Sequence, residues 1–293
     1  MLKCKDLQKV SVIGMGLLGA SVTMACMRAF PKVSIVGYSH RDLTRRKSRQ
    51  LNVASNIAET LEEAISNADI VILATPIMTF EGYFKDIRPF LKPGCIVTDV
   101  GSTKSLVHRW ADKNLPKSVF FVGSHPIAGS EKRGVEFARD DLLTSARCIV
   151  TQTVKTNKSA VKVLTDFWTA LGCNVISLNP TKHDRILGLI SHLPHVAAAA
   201  LVNASDGEDM RFAGKGFVDT SRIASGPSDV WMDIVLTNHK IIAQGIDRLI
   251  GQLAAMKKAV SAQDAKTIQK LLEKARTKRE AMIEYKLKRR ELM

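Results

Sequence analysis

An α/β domain with a doubly wound, mostly parallel sheet, followed by an all-helical domain, is the architecture this sequence predicts. Two observations carry it. Val- and Ile-rich runs of strand length alternate with helix-length segments up to residue 179, and such alternation builds a parallel sheet through crossover helices. After Asn179-Pro180-Thr181 the strand-like runs stop, and helical patterns continue to the C-terminus. Residues 1–179 and 180–293 are therefore read as the two domains.

In order, the strands are read as VSVIG at 10–14, VSIVGY at 33–38, ADIVILATP at 68–76, CIVTDVG at 95–101, VFFVGSHP at 119–126, ARCIVTQT at 146–153 and CNVISLN at 173–179. Most end in Gly, Pro, Ser or Asn, which favour turns. Most connections have room for a crossover helix, without which a parallel pair cannot be joined. The helical part is read as 183–205, 229–260 and 264–290, with a glycine-rich polar link over 206–228.

The chain of 293 residues is long enough for two domains, and 45% hydrophobic with 24% charged residues is ordinary for a globular protein. No run approaches the ~20 consecutive apolar residues of a membrane span. The N-terminal MLKCKDLQKVSVIG enters a strand without a secretory apolar region, so a cytoplasmic protein is expected. Cys4, Cys26, Cys95, Cys148 and Cys173 are scattered and form no CxxC pair, so neither disulfides nor a zinc site is implied. The net charge is +15, and 12 Lys/Arg against 5 Asp/Glu between Lys257 and Met293 place +7 of it at the C-terminal end. These charges interleave with Leu271, Leu272, Met282 and Ile283 at helical spacing, the pattern of a solvated amphipathic helix. Only Tyr285 supplies an aromatic ring there, so no nucleic acid is expected as a partner, and no membrane. The rest of the positive excess suits a protein that handles anions.

The first strand runs into Gly14-Met15-Gly16-Leu17-Leu18-Gly19 and then a helix. The glycine spacing alone is weak, but strand, turn and helix together form the Rossmann dinucleotide fingerprint. Gly14 serves the tight turn, Gly16 the approach of a pyrophosphate, and Gly19 close packing of helix on strand. An acidic residue at the end of the second strand would bind the ribose hydroxyls of NAD; here Ser39-His40-Arg41 stands there, with Arg45 and Arg46 beyond. A hydroxyl and a guanidinium suit a 2′-phosphate, so NADP is the preferred cofactor, with NAD possible. Thr75 and Pro76, and Ser102 in DVGSTK, close two further strands where a nicotinamide would rest. Lys104 reads as a helix cap.

GSHPIAGSEKRG puts His125 where a strand stops, on a loop facing the same crevice. By itself it suits a general base or a structural histidine equally well. His192 and His195 share a helix face, with Pro194 kinking the helix between them. No third ligand has suitable spacing, so no metal site is expected. Asp219 and Arg222 stand on the polar link, where an isolated arginine is usually solvated and anion binding is the alternative.

The set GMGLLGAS, ATP, DVGSTK, HPIAGSEKRGVE, SHLPH and SRIASGPSDVWMDI, spanning about Val10 to Arg248, resembles the prephenate/arogenate dehydrogenase family of tyrosine biosynthesis. The resemblance implies oxidative decarboxylation of prephenate to 4-hydroxyphenylpyruvate, or of arogenate to tyrosine, with hydride passing to NAD or NADP. It also implies a Rossmann domain followed by an all-α dimerisation domain, hence a homodimer. His125 resembles the histidine that takes the proton of the ring hydroxyl, and Ser102 the serine that helps hold both. Arg222 resembles the arginine that grips a substrate carboxylate, with Glu131 and His192 in the same polar network. Ser130, Ser191, His195 and Trp231 match further active-site positions, and Asp219 one that can reach the neighbouring subunit's site. Other two-domain dehydrogenases of the hydroxyacid or imine-reductase type lack HPIAGSE. A NADP-sensing regulatory protein would be expected to have lost His125, Ser102 or Arg222, and all three are present.

Overall fold

The computed structural model describes residues 2–128 and 132–288. Ser130 and Glu131, both expected at the substrate site, lie outside the described residues. The chain divides into two compact units, one reaching Ile241 and one from Ile242 onward.

In the first unit a six-stranded parallel sheet has the order β3-β2-β1-β4-β5-β6. Its strands are β1 (Lys9–Ile13), β2 (Ser34–Tyr38), β3 (Asn56–Ile57), β4 (Ile70–Leu73), β5 (Ile96–Asp99) and β6 (Phe120–Phe121). The short β3 carries too few apolar residues to be read from sequence, and pairing with β2 over two residues defines it. The connecting helices are α1 (Leu17–Ala29), α2 (Asp42–Gln50), α3 (Leu61–Ile65), α4 (Phe80–Ile87) and α5 (Ser105–Asn114). Both faces are covered, as a parallel sheet requires, and period two sorts the side chains. Val10, Val12, Ile70 and Ile72 pack with Phe167 and Trp168 on one face. Ile13, Val71, Leu73 and Val97 pack with Phe80 and Phe84 on the other. At the carboxyl ends, Gly14 N–H donates to Tyr38 O (2.8 Å), Ala74 to Ile13 O (2.7 Å) and Val100 to Leu73 O (3.0 Å). These bonds gather the loops after β1, β2, β4 and β5 along one edge.

The run VFFVGSHP departs from the expected single strand. It divides at Val122 into β6 and β7 (Gly123–Ile127), and β7 joins a separate sheet of order β7-β8-β9 with β8 (Arg147–Thr151) and β9 (Asn174–Leu178). The β7–β8 pair is antiparallel and β8–β9 parallel. His125 is thus not on a loop; it sits inside β7, opposite Ile149. Gly123 permits the change of sheet, because a Cβ there would lie 2.5 Å from Thr151 Oγ1 and 3.1 Å from Lys104 Cδ. Ser124 pins the new strand: its hydroxyl meets Thr98 Oγ1 (2.8 Å) and accepts the Trp168 indole N–H (2.9 Å). Trp168 belongs to α6 (Lys158–Ala170).

The helical segments begin with α7 (Pro180–Leu187), where Asn179 caps the first turn by accepting Thr181 N–H at 2.9 Å. A single π-helical turn, Gly188–His192, joins α7 to α8 (Leu193–Asn203), with Pro194 in the first turn of α8. Proline has no N–H to give the preceding turn, and the ladder widens there. The helical run Pro180–Asn203 is long and apolar enough on average to cross a membrane, although Lys182, His183, Asp184 and Arg185 interrupt it and no ~20 consecutive apolar residues occur, as the sequence reading expected. Its buried His183, Asp184 and His192 are bonded instead to neighbours in this unit. The link read as polar loop is largely helical, with α9 (Lys215–Ser221), a 3-10 turn Arg222–Ser225, and then α10 (Ser228–Thr237). The second unit holds the remainder of α11 (His239–Ser261), in which Ile242, Gly245 and Ala259 are buried, and α12 (Ala265–Lys288), which has no buried residue.

Candidate active site

The turn after β1 is shaped for close approach. Gly14 takes φ +106°, and a Cβ on it would lie 2.6 Å from the Ala74 carbonyl. A Cβ on Gly19 would strike the Gly14 carbonyl oxygen, whereas Gly16 faces open space. Gly16 precedes α1 without any side-chain cap, and the Ala20 N–H bonds back to Gly16 O at 3.0 Å. The preceding amides of Leu17, Leu18 and Gly19 belong to the helical turn that has no intrahelical acceptors and favours an anion. Met15 is buried with Ala20, Val53, Ile57 and Val135, which leaves its backbone for the turn. A dinucleotide pyrophosphate fits this cradle.

At the end of β2, Ser39 is buried and its Oγ accepts the Arg41 N–H (3.3 Å), while His40 and Arg41 are exposed. Arg45 braces this turn by donating to Ser39 O (2.9 Å) and pairing with Glu59 (2.9 Å). Asp42 is engaged by Arg45 and Arg46. Thr75 is half-buried after β4 with its hydroxyl 2.8 Å from Thr79 Oγ1, and Pro76 next to it is exposed.

A cleft of about 600 Å³ opens nearby, lined among others by Ser102, His125, Lys132, Arg133, Arg222 and Trp231. Arg133 pairs with Asp229 through both nitrogens of its fork, one at 3.0 Å. Lys132 lies 5.2 Å from the Phe137 ring centre. With Arg222, these cations give the cleft a positive lining.

Behind His125 stands a chain of buried polar groups that includes His183, Asp184 and Asp99, which the sequence reading did not single out. His125 Nδ1 lies 2.9 Å from His183 Nε2, and His183 Nδ1 lies 2.8 Å from Asp184 Oδ1. Asp184 also accepts the N–H groups of Lys104 (2.8 Å) and Ser105 (2.7 Å) at the start of α5. Lys104 occupies the N-cap position of α5, as read, with its side chain fully buried and ion-paired with Asp99. Asp99 in turn accepts Gly101 N–H (2.9 Å) and Ser124 N–H (3.2 Å). Burial, then the neighbouring His183, Lys104 and His192, hold His125 well below the ordinary histidine pKa, so it is neutral at pH 7.

His192 accepts an N–H from Asn238 at Nδ1 (3.1 Å), which places its own proton on Nε2. His195 stacks on Trp231 with ring centres 3.5 Å apart, and its Nδ1 is buried without a hydrogen-bond partner among the described residues. A Cβ on Gly226 would press on the Trp231 indole and reach 3.0 Å from His195 Cε1, so this pair needs a glycine beneath it. Ser191 is half-buried in the π turn. Asp219 is exposed on α9 and is not among the residues that line the cleft.

Buried neutral histidines tie stability to pH. Burial pushes both His108 and His192 down from 6.5 to about 4. As pH falls, the unfolded chain therefore takes up these protons first. Stability that is complete above pH 6.5 is lost between about 6.5 and 4, on the order of 3 kcal/mol for each histidine. Urea midpoints should fall steadily through that window; a flat profile from pH 7.5 to 5 would contradict it.

A glycine cradle at the carboxyl edge of a parallel sheet, together with a cleft walled by a buried histidine, is the arrangement of nicotinamide-dinucleotide oxidoreductases. Comparison narrows the class. Residues 22–177 match the nucleotide-binding domain of prephenate dehydrogenase, and residues 179–274 match its dimerization domain. Cyclohexadienyl dehydrogenase of Zymomonas mobilis is 30% identical over 262 residues, covering 87% of this chain and 89% of that protein. Prephenate dehydrogenase of Bacillus subtilis is 31% identical over 280 residues, 93% of this chain and 76% of the relative. The crystal structure of Aquifex aeolicus prephenate dehydrogenase with hydroxyphenyl propionate and NAD+ superposes with a TM-score of 0.87 at 31% identity, covering 94% of this chain and 98% of that one. Arogenate dehydrogenase of Synechocystis gives a TM-score of 0.81 at 27% identity over 94% of this chain and all of that one. The chain belongs to the prephenate dehydrogenase family.

Proposed function

We propose that this chain oxidatively decarboxylates prephenate to 4-hydroxyphenylpyruvate with NADP as the preferred acceptor, arogenate being the alternative substrate and tyrosine then the product. The observation that carries the reading is His125, neutral and buried at the wall of a cationic cleft beside Ser102 and Arg222. The nicotinamide, when bound, supplies the hydride acceptor. The chain's own work is to hold the substrate hydroxyl against His125 Nε2, with Ser102 sharing that hydroxyl, so that its proton leaves as the carbonyl forms. Loss of the ring carboxylate as CO2 then makes the ring aromatic and the step irreversible.

Arg222 is assigned to a substrate carboxylate, and the positive lining suits a dianion. His192, His195, Ser191 and Trp231 are assigned to the wall around the substrate, in support of which the buried Nδ1 of His195 offers a polar atom for it to satisfy. Asp219, exposed on α9, is assigned to the neighbouring subunit's cleft in a homodimer formed by the helical domain. In support, Phe212, Val218 and Met232 expose large apolar surface on that side of the sequence. We put the functional division at residue 179, in support of which one family match ends at 177 and the other begins at 179.

NADP is favoured by the end of β2, where Ser39, His40 and Arg41 stand and where Asp42 is already engaged by two arginines. The test is formation of reduced nicotinamide in four mixtures, prephenate or arogenate, each with NAD or NADP. Turnover with NADP and prephenate is the expected result; silence in all four, with NADP still bound, would overturn the reading. Combining Ser39→Asp with Arg41→Ala should move the preference toward NAD, because a carboxylate repels the 2′-phosphate. An unchanged NADP-to-NAD ratio would mean the phosphate is held elsewhere.

A further inference from the structure

We infer that His183 and Asp184 are positioning residues that hold His125 in the tautomer with its proton on Nδ1, leaving Nε2 bare to receive the substrate proton. The inference rests on the reading of His125 as the proton acceptor, and goes beyond it by assigning two residues that do not line the cleft.

The direction of each hydrogen bond follows from the groups themselves. Burial pushes the Asp184 carboxyl up, but hydrogen bonds from His183 and Ser105 outweigh it and hold the pKa below the usual range. An ionised carboxylate only accepts. His183 Nδ1, 2.8 Å from Asp184 Oδ1, must therefore carry a proton and donate it. Burial keeps His183 neutral against the upward pull of Asp184, so its Nε2 has no proton and can only accept. The partner of that nitrogen at 2.9 Å is His125 Nδ1. His125 must then donate from Nδ1, and in the neutral ring Nε2 is bare.

The far end of the relay is fixed by backbone. Asp184 receives the N–H groups of Lys104 and Ser105 at the N-terminus of α5, where an anion is favoured. Its own carbonyl accepts an N–H of Asn238 at 2.9 Å, which also orients His192. The titratable groups that face the relay from neighbouring elements are Lys104, paired with Asp99, and the uncharged rings of His108 and His192. His108 is turned away, bonded to Thr151 Oγ1 at 2.9 Å. When His125 takes the substrate proton, its positive charge faces the His183–Asp184 pair, so the same relay that selects the tautomer also stabilises the charged product. A histidine held by a carboxylate in serine hydrolases uses the same logic, where the wrong tautomer costs about 10⁴ in turnover. Here a neutral ring intervenes and the expected cost is smaller.

Two substitutions of the full-length enzyme separate relay from scaffold. His183→Asn keeps a donor toward Asp184 but ends short of His125, while His183→Gln carries an acceptor near the position of Nε2. We expect His183→Asn to lower kcat by on the order of 10–10²-fold with KM changed less than about twofold, and His183→Gln to recover part of the loss. A second readout needs no turnover. In protein labelled with ¹⁵N-histidine, the His125 ring, assigned by its disappearance in His125→Asn, should show a protonated Nδ1 and a bare Nε2. A proton on Nε2 in the parent enzyme, or parental kcat in His183→Asn, would overturn the relay, and the parent spectrum decides even if both variants fail to fold. The reading beneath it fails differently: parental turnover in His125→Asn would remove His125 itself from the chemistry.

Discussion

His125→Asn should lower turnover by ~10²–10⁴-fold while dinucleotide binding stays at the parental level, the usual size of a lost general base. Asparagine is the informative replacement. Its amide can occupy the place of Nδ1 and donate to His183 Nε2, so the buried chain behind the site stays bonded. What disappears is Nε2, the one ring atom the relay leaves free. Because β7 is pinned by Ser124 to Thr98 and Trp168, the strand should keep its place. The low pKa of His125 also fixes the sign of the pH dependence. The reaction needs the neutral ring, so the acid limb of kcat/KM in the parent should lie below pH 6.5, the unperturbed value. Near-parental turnover in His125→Asn, measured at saturating substrate with cofactor binding checked separately, would remove the general base from the account.

The largest expected effect on stability is that of Lys104→Met. Lys104 and Asp99 are both fully buried, and their ion pair lies beneath the cleft. Burial raises the Asp99 pKa, and Lys104 is the chief influence opposing that rise. Removing the cation leaves a buried carboxylate held only by the N–H groups of Gly101 and Ser124. Breaking one side of such a pair costs about 3–5 kcal/mol. The carboxyl then titrates at a still higher pH in the folded state than in the unfolded one. A raised pKa gives stability that is complete below the unfolded value and is lost as pH rises through the folded one. The deficit against the parent should therefore be largest at neutral pH and shrink toward pH 4. Denaturant midpoints of both proteins at pH 7 and pH 4.5 measure it; an equal midpoint at pH 7 would mean the pair contributes nothing net.

The two residues that matter most to these predictions were legible to different degrees. His125 stood out because HPIAGSE is an uncommon run, although its setting inside β7 depended on Gly123 releasing the chain from one sheet to another, a packing event with no local signature. Lys104 stands at the N-cap position of α5, as read, but its burial was not legible, because a lysine just ahead of a helix is normally solvated and nothing local announces that Asp99, five residues earlier, is buried with it. His183 was passed over for a similar reason. A His-Asp pair in the first turn after Asn179-Pro180 looks like polar residues at a helix start. Only the approach of α7 to α5 turns the Asp184 carboxylate toward the Lys104 and Ser105 amides. The glycine turn, by contrast, was readable because Gly14 and Gly19 answer to contacts within their own strand–turn–helix unit or the segment after β4, and Gly16 leaves open space at the start of α1. The Pro194 kink was foreseen in place but not in kind, since a missing N–H can be absorbed by a π turn as well as by a bend.

The most direct measurement is the balance of one turnover: prephenate consumed, CO2 released and NADPH formed by the purified full-length protein in the same vessel. Proton removal at His125, coupled to hydride loss and decarboxylation, predicts one CO2 and one NADPH for each prephenate, with all three rates falling together in His125→Asn. CO2 release without NADPH, or NADPH formation that His125→Asn leaves untouched, would contradict it.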